Sequence, residues 1–200
     1  TAPHPMQREI ASRVLNVLDK MRQIGGRFHF AILDSVRDLH PSDRASPPNP
    51  DSSGTTFTYH TEYTKSPPRI HVYIKGAKRK NVGLSYNTLL HELIHAATVV
   101  TINHARQNID SSAARHVADL DKLFNKVRSE LNKVKAKAKA GERLTQAEKV
   151  VAQSNFGLNA KEILAWSLSD PDAQAWMETV PYPQHKNLWN KFVQVIRDML

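Results

Sequence analysis

The spacing of apolar side chains changes from two to about 3.6 partway along this chain, and that change limits what it can fold into. Arg27 to Leu33 carries Phe28, Phe30 and Ile32 on alternate positions, Thr55 to Tyr63 alternates Thr with aromatic residues, and Arg69 to Lys75 puts Ile70, Val72 and Ile74 on one face. A period of two predicts three half-buried strands. After Gly83 the period becomes about 3.6. Leu89, Leu90, Leu93, Ile94 and Ala97 then form one helical stripe behind a Ser85 N-cap. Strands followed by helices predict an α+β fold.

The remaining punctuation is helical. Ile10, Val14, Leu15, Val17, Leu18 and Met21 give Pro5 to Gln23 a helical stripe that stops at Gly25-Gly26. From His40 to Gly54, Pro, Ser and Asp dominate and predict a long surface loop, and Pro67-Pro68 marks a turn between strands. A long helix is expected from an Asp110 cap to about Ala140, ended by Gly141. Thr145 to Glu148 has the capping-box pattern, and Asn155 to Leu158 reads as a connector. Asn159 caps a helix to Leu168, Asp170-Pro171 starts another, and Asn187 to Leu200 is a final amphipathic helix. We read residues 1–200 as a single domain. It comprises an N-terminal helix over 1–24, strands and loop over 27–75, a central helix over 85–105 and a helical part over 110–200.

Composition decides which chemistry is open. The chain has no Cys, so disulfides, thiolate ligands and a Cys nucleophile are excluded, and any metal must be held by His, Asp or Glu. The 28 Lys and Arg against 19 Asp and Glu leave a net charge of +9, which raises a nucleic-acid partner. The basic residues concentrate in Arg69 to Lys80 and Lys122 to Lys149 without interleaved aromatics, and Lys133 to Lys139 sits among strong helix formers. Such a run is commonly a solvated helix face rather than a base-stacking platform. No segment is apolar for long enough to span a membrane. The expectation is a soluble piece of a larger polypeptide.

The string His91-Glu92-Leu93-Ile94-His95 falls within the central helix. Two His four apart lie about 40° apart around a helix, so both imidazoles can reach one ion. Glu92, the next residue, points beside that ion, where a carboxylate can take the proton of an attacking water and pass it to a leaving amine. The bland alternative is an amphipathic helix with two satisfied polar residues, yet two His flanking apolar Leu93-Ile94 would be costly there without partners. A catalytic zinc needs a third protein ligand. Thr101 stands where one large class has its third His, and His104 lies about 180° around a continuous helix from His95. Glu162, on a separate helix with Ile163, Leu164 and Trp166, is the better candidate, although Asn159 to Glu162 could instead be a capping arrangement. Thr98 could support a ligand or simply pack the helix, and Ile70 to Ile74 could align an extended peptide.

Three stretches together resemble a known family. Leu89 to Thr98, then Phe156-Gly157-Leu158-Asn159-Ala160-Lys161-Glu162-Ile163-Leu164-Ala165, then Ser169-Asp170-Pro171-Asp172-Ala173-Gln174 look like the zincin-like metallopeptidase domain of large polyvalent proteins of bacteriophages and mobile elements. Leu188 to Val193 is similar to that family's last helix, and the likeness runs from about Thr55 to the end. The resemblance implies a small, mainly antiparallel sheet packed by several helices. It implies one Zn2+ held by His91, His95 and Glu162, with Glu92 as the catalytic base and a protein or peptide substrate. It also implies a virion-associated protein or one delivered with phage or mobile-element DNA, otherwise cytoplasmic. Two positions depart from the pattern: Trp166 stands where the family has a second Glu, and Phe156 where it has a Tyr. His104, His116, Tyr182 and His185 are the candidate transition-state donors, none singled out by spacing. The competing function is a basic nucleic-acid-associated module with a structural or vestigial zinc site.

Overall fold

In a computed structural model, which describes residues 5–23, 25–33, 36–45, 47, 54–59, 69–75, 85–107 and 112–199, the period-two segments are strands and the period-3.6 segments are helices. The fold is α+β. The chain divides into two compact units, Thr1–His104 and Ala105–Leu200.

The first unit opens with helix α1 (Pro5–Gln23) and turns at Gly25-Gly26, whose amides bond the Arg22 and Met21 carbonyls. Strands β1 (Arg27–Leu33), β2 (Gly54–Tyr59) and β3 (Arg69–Lys75) form one sheet in the order β1-β3-β2. The β1–β3 pairing is parallel, with Arg27 opposite Arg69, and the β2–β3 pairing is antiparallel, with Gly54 opposite Ile74. The sheet is therefore mixed, which corrects the expectation of a mainly antiparallel one. Residues 34–68 separate β1 from β3, enough chain to bring the third strand back in the same direction as the first. A second correction follows from the order. Strand β3 has a neighbour on each side, so Ile70 to Ile74 is not an edge on which a substrate could add.

Alternation gives the sheet two unlike faces. Ile70 and Val72 join Met21 of α1 and Ala96 and Val99 of α2 (Tyr86–Gln107) in one apolar cluster, with Val17, Leu18 and Phe28 at its margin. Phe30 and Ile32 share that face but remain about half exposed, because β1 is an outer strand. The other face is polar: His71 and Tyr73 are buried there, and His29 lies opposite His71 in register. The segment after β1, running into the first residues of the stretch expected as surface loop, covers this face. It forms short 3-10 turns at Val36–Asp38 and Pro41–Asp43 and buries Leu39 and Asp43. Asp43 is held inward because its carboxylate accepts a hydrogen bond from Tyr73 and pairs with His71. The expected features at residues 60–63, Pro67-Pro68, Gly83 and Asp110, and part of the 40–54 loop, lie outside the described residues.

The second unit is helical. Helix α3 (Ser112–Lys139) carries buried Leu120, Leu123, Val127 and Leu131 on one stripe. It ends at Gly141, whose φ of 74° belongs to the left-handed region that terminates helices at low steric cost. Helix α4 (Gln146–Gln153) starts in the expected reciprocal cap between Thr145 and Glu148. A 3-10 turn at Asn155–Gly157 leads to α5 (Ala160–Ser169), capped by Asn159. Asp170 and Pro171 begin α6 (Pro171–Thr179), and α7 (Leu188–Met199) closes the unit. Helix α3 packs on α4, α5 and α7, and α4 packs on α6.

Candidate metal centre

Helix α2 begins where its sequence cap predicts. Ser85 Oγ accepts from the Thr88 amide at 3.0 Å, fixing the first turn. One turn on, His91 and His95 stand one above the other, with ring centroids 4.7 Å apart and Nε2 atoms 3.1 Å apart. Two nitrogens at roughly 2.0–2.1 Å from one tetrahedral ion would sit about 3.3 Å from each other, so the pair already has the spacing a shared zinc requires.

Glu92 is buried beside them, 6% exposed. A carboxylate so enclosed must have donors. Thr56 of β2 supplies one, its Oγ1 lying 2.7 Å from Glu92 Oε2 and 3.2 Å from the Glu92 carbonyl. Two residues earlier, Gly54 lets the strand backbone approach the carboxylate. A Cβ at Gly54 would stand 2.7 Å from Glu92 Cγ and 2.9 Å from Oε1. Strand β2 thus touches Glu92 through a glycine and a hydroxyl on the same face. Sequence reading missed both, since neither residue belongs to the helix motif. The available signal was the alternation that puts Gly54 and Thr56 on one side of a strand. Thr98 donates to the Ile94 carbonyl of its own helix at 2.7 Å.

Glu162 lies in the first turn of α5. The Asn159 side chain accepts from the Lys161 and Glu162 amides, so the cap uses the Glu162 backbone N–H. Among the described residues, His91, His95 and Glu162 form a group that could hold a metal ion, with one ligand atom from each within 4.8 Å of the others. The donor set of two imidazoles and one carboxylate suits zinc and leaves a fourth position for water.

His116 is on α3, and Tyr182 and His185 face each other across a short bridge with rings 5.8 Å apart. The His104 side chain lies outside the described residues. Phe156, where a Tyr would offer a hydroxyl, is fully buried edge-on to Trp176 with centroids 5.6 Å apart. Much of the basic charge on α3 is met locally. Lys122 pairs with Asp119, Lys126 and Lys133 share Glu130, and Lys137 pairs with Glu148. Lys122 holds the Asp119 carboxyl below its usual value, and Lys126 followed by Lys133 does the same for Glu130. No described helix is long and apolar enough to cross a membrane. In comparisons with known proteins, no family model, curated protein or solved structure matches the chain.

Proposed function

We propose that the chain is a zinc-dependent peptidase of the zincin-like type, resembling the domains carried by large phage and mobile-element proteins. The observation that carries the reading is the coincidence of two features. Three metal-type donors gather at His91, His95 and Glu162, and the residue between the two imidazoles is a buried carboxylate oriented by β2.

His91 and His95 would hold zinc from one helix turn and Glu162 from α5. Bound there, zinc supplies Lewis acidity, polarising a carbonyl and lowering the pKa of water toward about 7. Glu92 acts as the general base, taking a proton from the attacking water and delivering it to the leaving nitrogen of the cleaved peptide bond. Thr56 keeps the carboxylate turned to the site while this happens. Among the described residues β2 pairs only with β3, so its outer edge is the strand on which an extended substrate would align. The basic-module reading has less behind it, because four of the six α3 lysines, Lys122, Lys126, Lys133 and Lys137, are engaged by Asp119, Glu130 and Glu148.

The test is the Glu92→Gln variant. Its zinc content stays at the wild-type level while turnover of a peptide mixture, followed by mass spectrometry, falls by about 10²–10⁴-fold, the usual contribution of a general base. Unchanged turnover in this variant would exclude the reading. Salt-dependent DNA binding indifferent to Glu92→Gln, without any proteolysis, would favour the basic module.

A further inference from the structure

The polar face of the sheet holds a second set of imidazoles in the first unit, away from the His91–His95 helix. His29 on β1 and His71 on β3 are register partners in the parallel pair, so both project to the same side. His40 caps the 3-10 turn at Pro41–Asp43 that covers them. The three ring centroids are 4.7 Å (His40–His71), 5.4 Å (His29–His71) and 5.9 Å (His29–His40) apart, with planes inclined by 52° to 68°.

Behind them stands a buried scaffold. Asp43 Oδ2 is 2.7 Å from His71 Nδ1 and accepts from the Tyr73 hydroxyl, which itself accepts from the His40 amide at 3.0 Å. His40 Nδ1 is occupied by Ser42 Oγ at 2.8 Å. His29 Nε2 is buried with no hydrogen-bond partner, an arrangement that is unfavourable unless something else meets the nitrogen.

We infer that His29, His40 and His71 form a second site for a divalent transition-metal ion, with Asp43 orienting His71 from behind. Three imidazoles on one tetrahedral ion at about 2.0–2.1 Å have ring centroids roughly 5 Å apart, which the observed 4.7–5.9 Å bracket. The ring centres therefore already have about that spacing. Among the described residues only His91, His95 and Glu162 have their ligand atoms within 4.8 Å of one another. Closing the second site thus calls for the His29 ring, whose Nε2 has no partner, to turn about χ2, a soft torsion, while Asp43 and Ser42 hold His71 and His40. The Asp43–His71 contact has the form that fixes a ligating imidazole, with one ring nitrogen held by a carboxylate and the other given to the ion. An all-imidazole set suits zinc, copper or nickel and not magnesium or calcium.

Zinc binding to the full chain tests this, by equilibrium dialysis and elemental analysis. Wild type takes up two equivalents, and His91→Ala/His95→Ala keeps one. Adding His29→Leu to that double variant removes it, and so does adding His40→Asn. The exposed His40 makes His40→Asn a mild change, and Asn can still accept from the Ser42 amide that His40 caps. Asp43→Asn weakens the remaining equivalent by about 10–100-fold. Zinc also raises the melting temperature of His91→Ala/His95→Ala but not that of the same variant carrying His40→Asn. The inference is overturned if His91→Ala/His95→Ala binds no zinc, or if its equivalent survives both His29→Leu and His40→Asn. It stands, and the proposed peptidase centre falls, if wild type binds one equivalent that is indifferent to His91→Ala/His95→Ala and lost in His29→Leu.

Discussion

Replacing Gly54 by Ala should separate folding from catalysis. The added Cβ would stand 2.7 Å from Glu92 Cγ and 2.9 Å from Oε1, whereas carbon atoms settle at about 3.5–4.0 Å. Something must move by about 1 Å. The atoms met all belong to the Glu92 side chain, so its carboxylate yields rather than the strand. Folding loses at most what the Thr56 contact contributes, about 1.5–3 kcal/mol, and an Ala in a strand recovers roughly 0.5–1 kcal/mol of the backbone entropy that Gly loses. Catalysis is not spared, because misplacing a reacting group by about 1 Å can cost on the order of 10²-fold, near 2.7 kcal/mol of transition-state stabilisation. Measured together, Gly54→Ala should keep wild-type zinc content, lower the urea midpoint no more than Thr56→Val does and lower kcat/KM about a hundredfold. Full activity in a folded, zinc-loaded Gly54→Ala protein would refute the claim that β2 positions the base.

Thr56→Val removes one donor to the buried Glu92 carboxylate while keeping the side-chain shape, and urea unfolding should show a loss of about 1.5–3 kcal/mol; an unchanged midpoint would remove Thr56 from the site. Chelation should abolish peptide cleavage and added zinc restore it, with Glu162→Ala needing more zinc for the same recovery. Phe156→Ala, emptying a fully buried position against Trp176, should cost about 3–5 kcal/mol by chemical denaturation. The last prediction concerns pH. Lys126 and then Lys133 depress Glu130, and the Thr145 amide followed by Lys137 depresses Glu148. A carboxylate depressed by folding contributes stability that is complete above its unfolded pKa, about 4.3, and is lost as pH falls through the lower folded value. The melting temperature should therefore drop below roughly pH 4, and less steeply in Glu130→Gln/Glu148→Gln.

The parts of this molecule written in local signals were legible before the coordinates. The Thr145–Glu148 box, the Asn159 cap, the Asp170-Pro171 start and the Ser85 cap each depend on residues within one helix turn of each other, and each is present. The His91–His95 spacing is local in the same sense. What escaped reading depends on register. That His29 faces His71, and that Gly54 and Thr56 meet Glu92, follow from which strands pair and in which direction. No short-range pattern encodes that choice. The loop from His40 was misjudged for a related reason: its Asp43 looks like a solvent residue until Tyr73 and His71 arrive from a strand some thirty positions later.

The parallel pairing of β1 with β3 also dictates an order of events during synthesis. Arg27 cannot meet Arg69, nor Leu33 its partner Lys75, until the intervening chain has been made and its ends brought together. Contacts this distant in sequence are slow to form because loop closure precedes any gain from them. The first strand thus emerges early and waits for β3, its partner among the described residues, with Phe30 and Ile32 uncovered and both sides of its backbone unpaired, while α3 to α7 can assemble largely from neighbours in sequence. Misfolding and self-association should begin at this waiting strand, and the lag should lengthen with any insertion between residues 34 and 68.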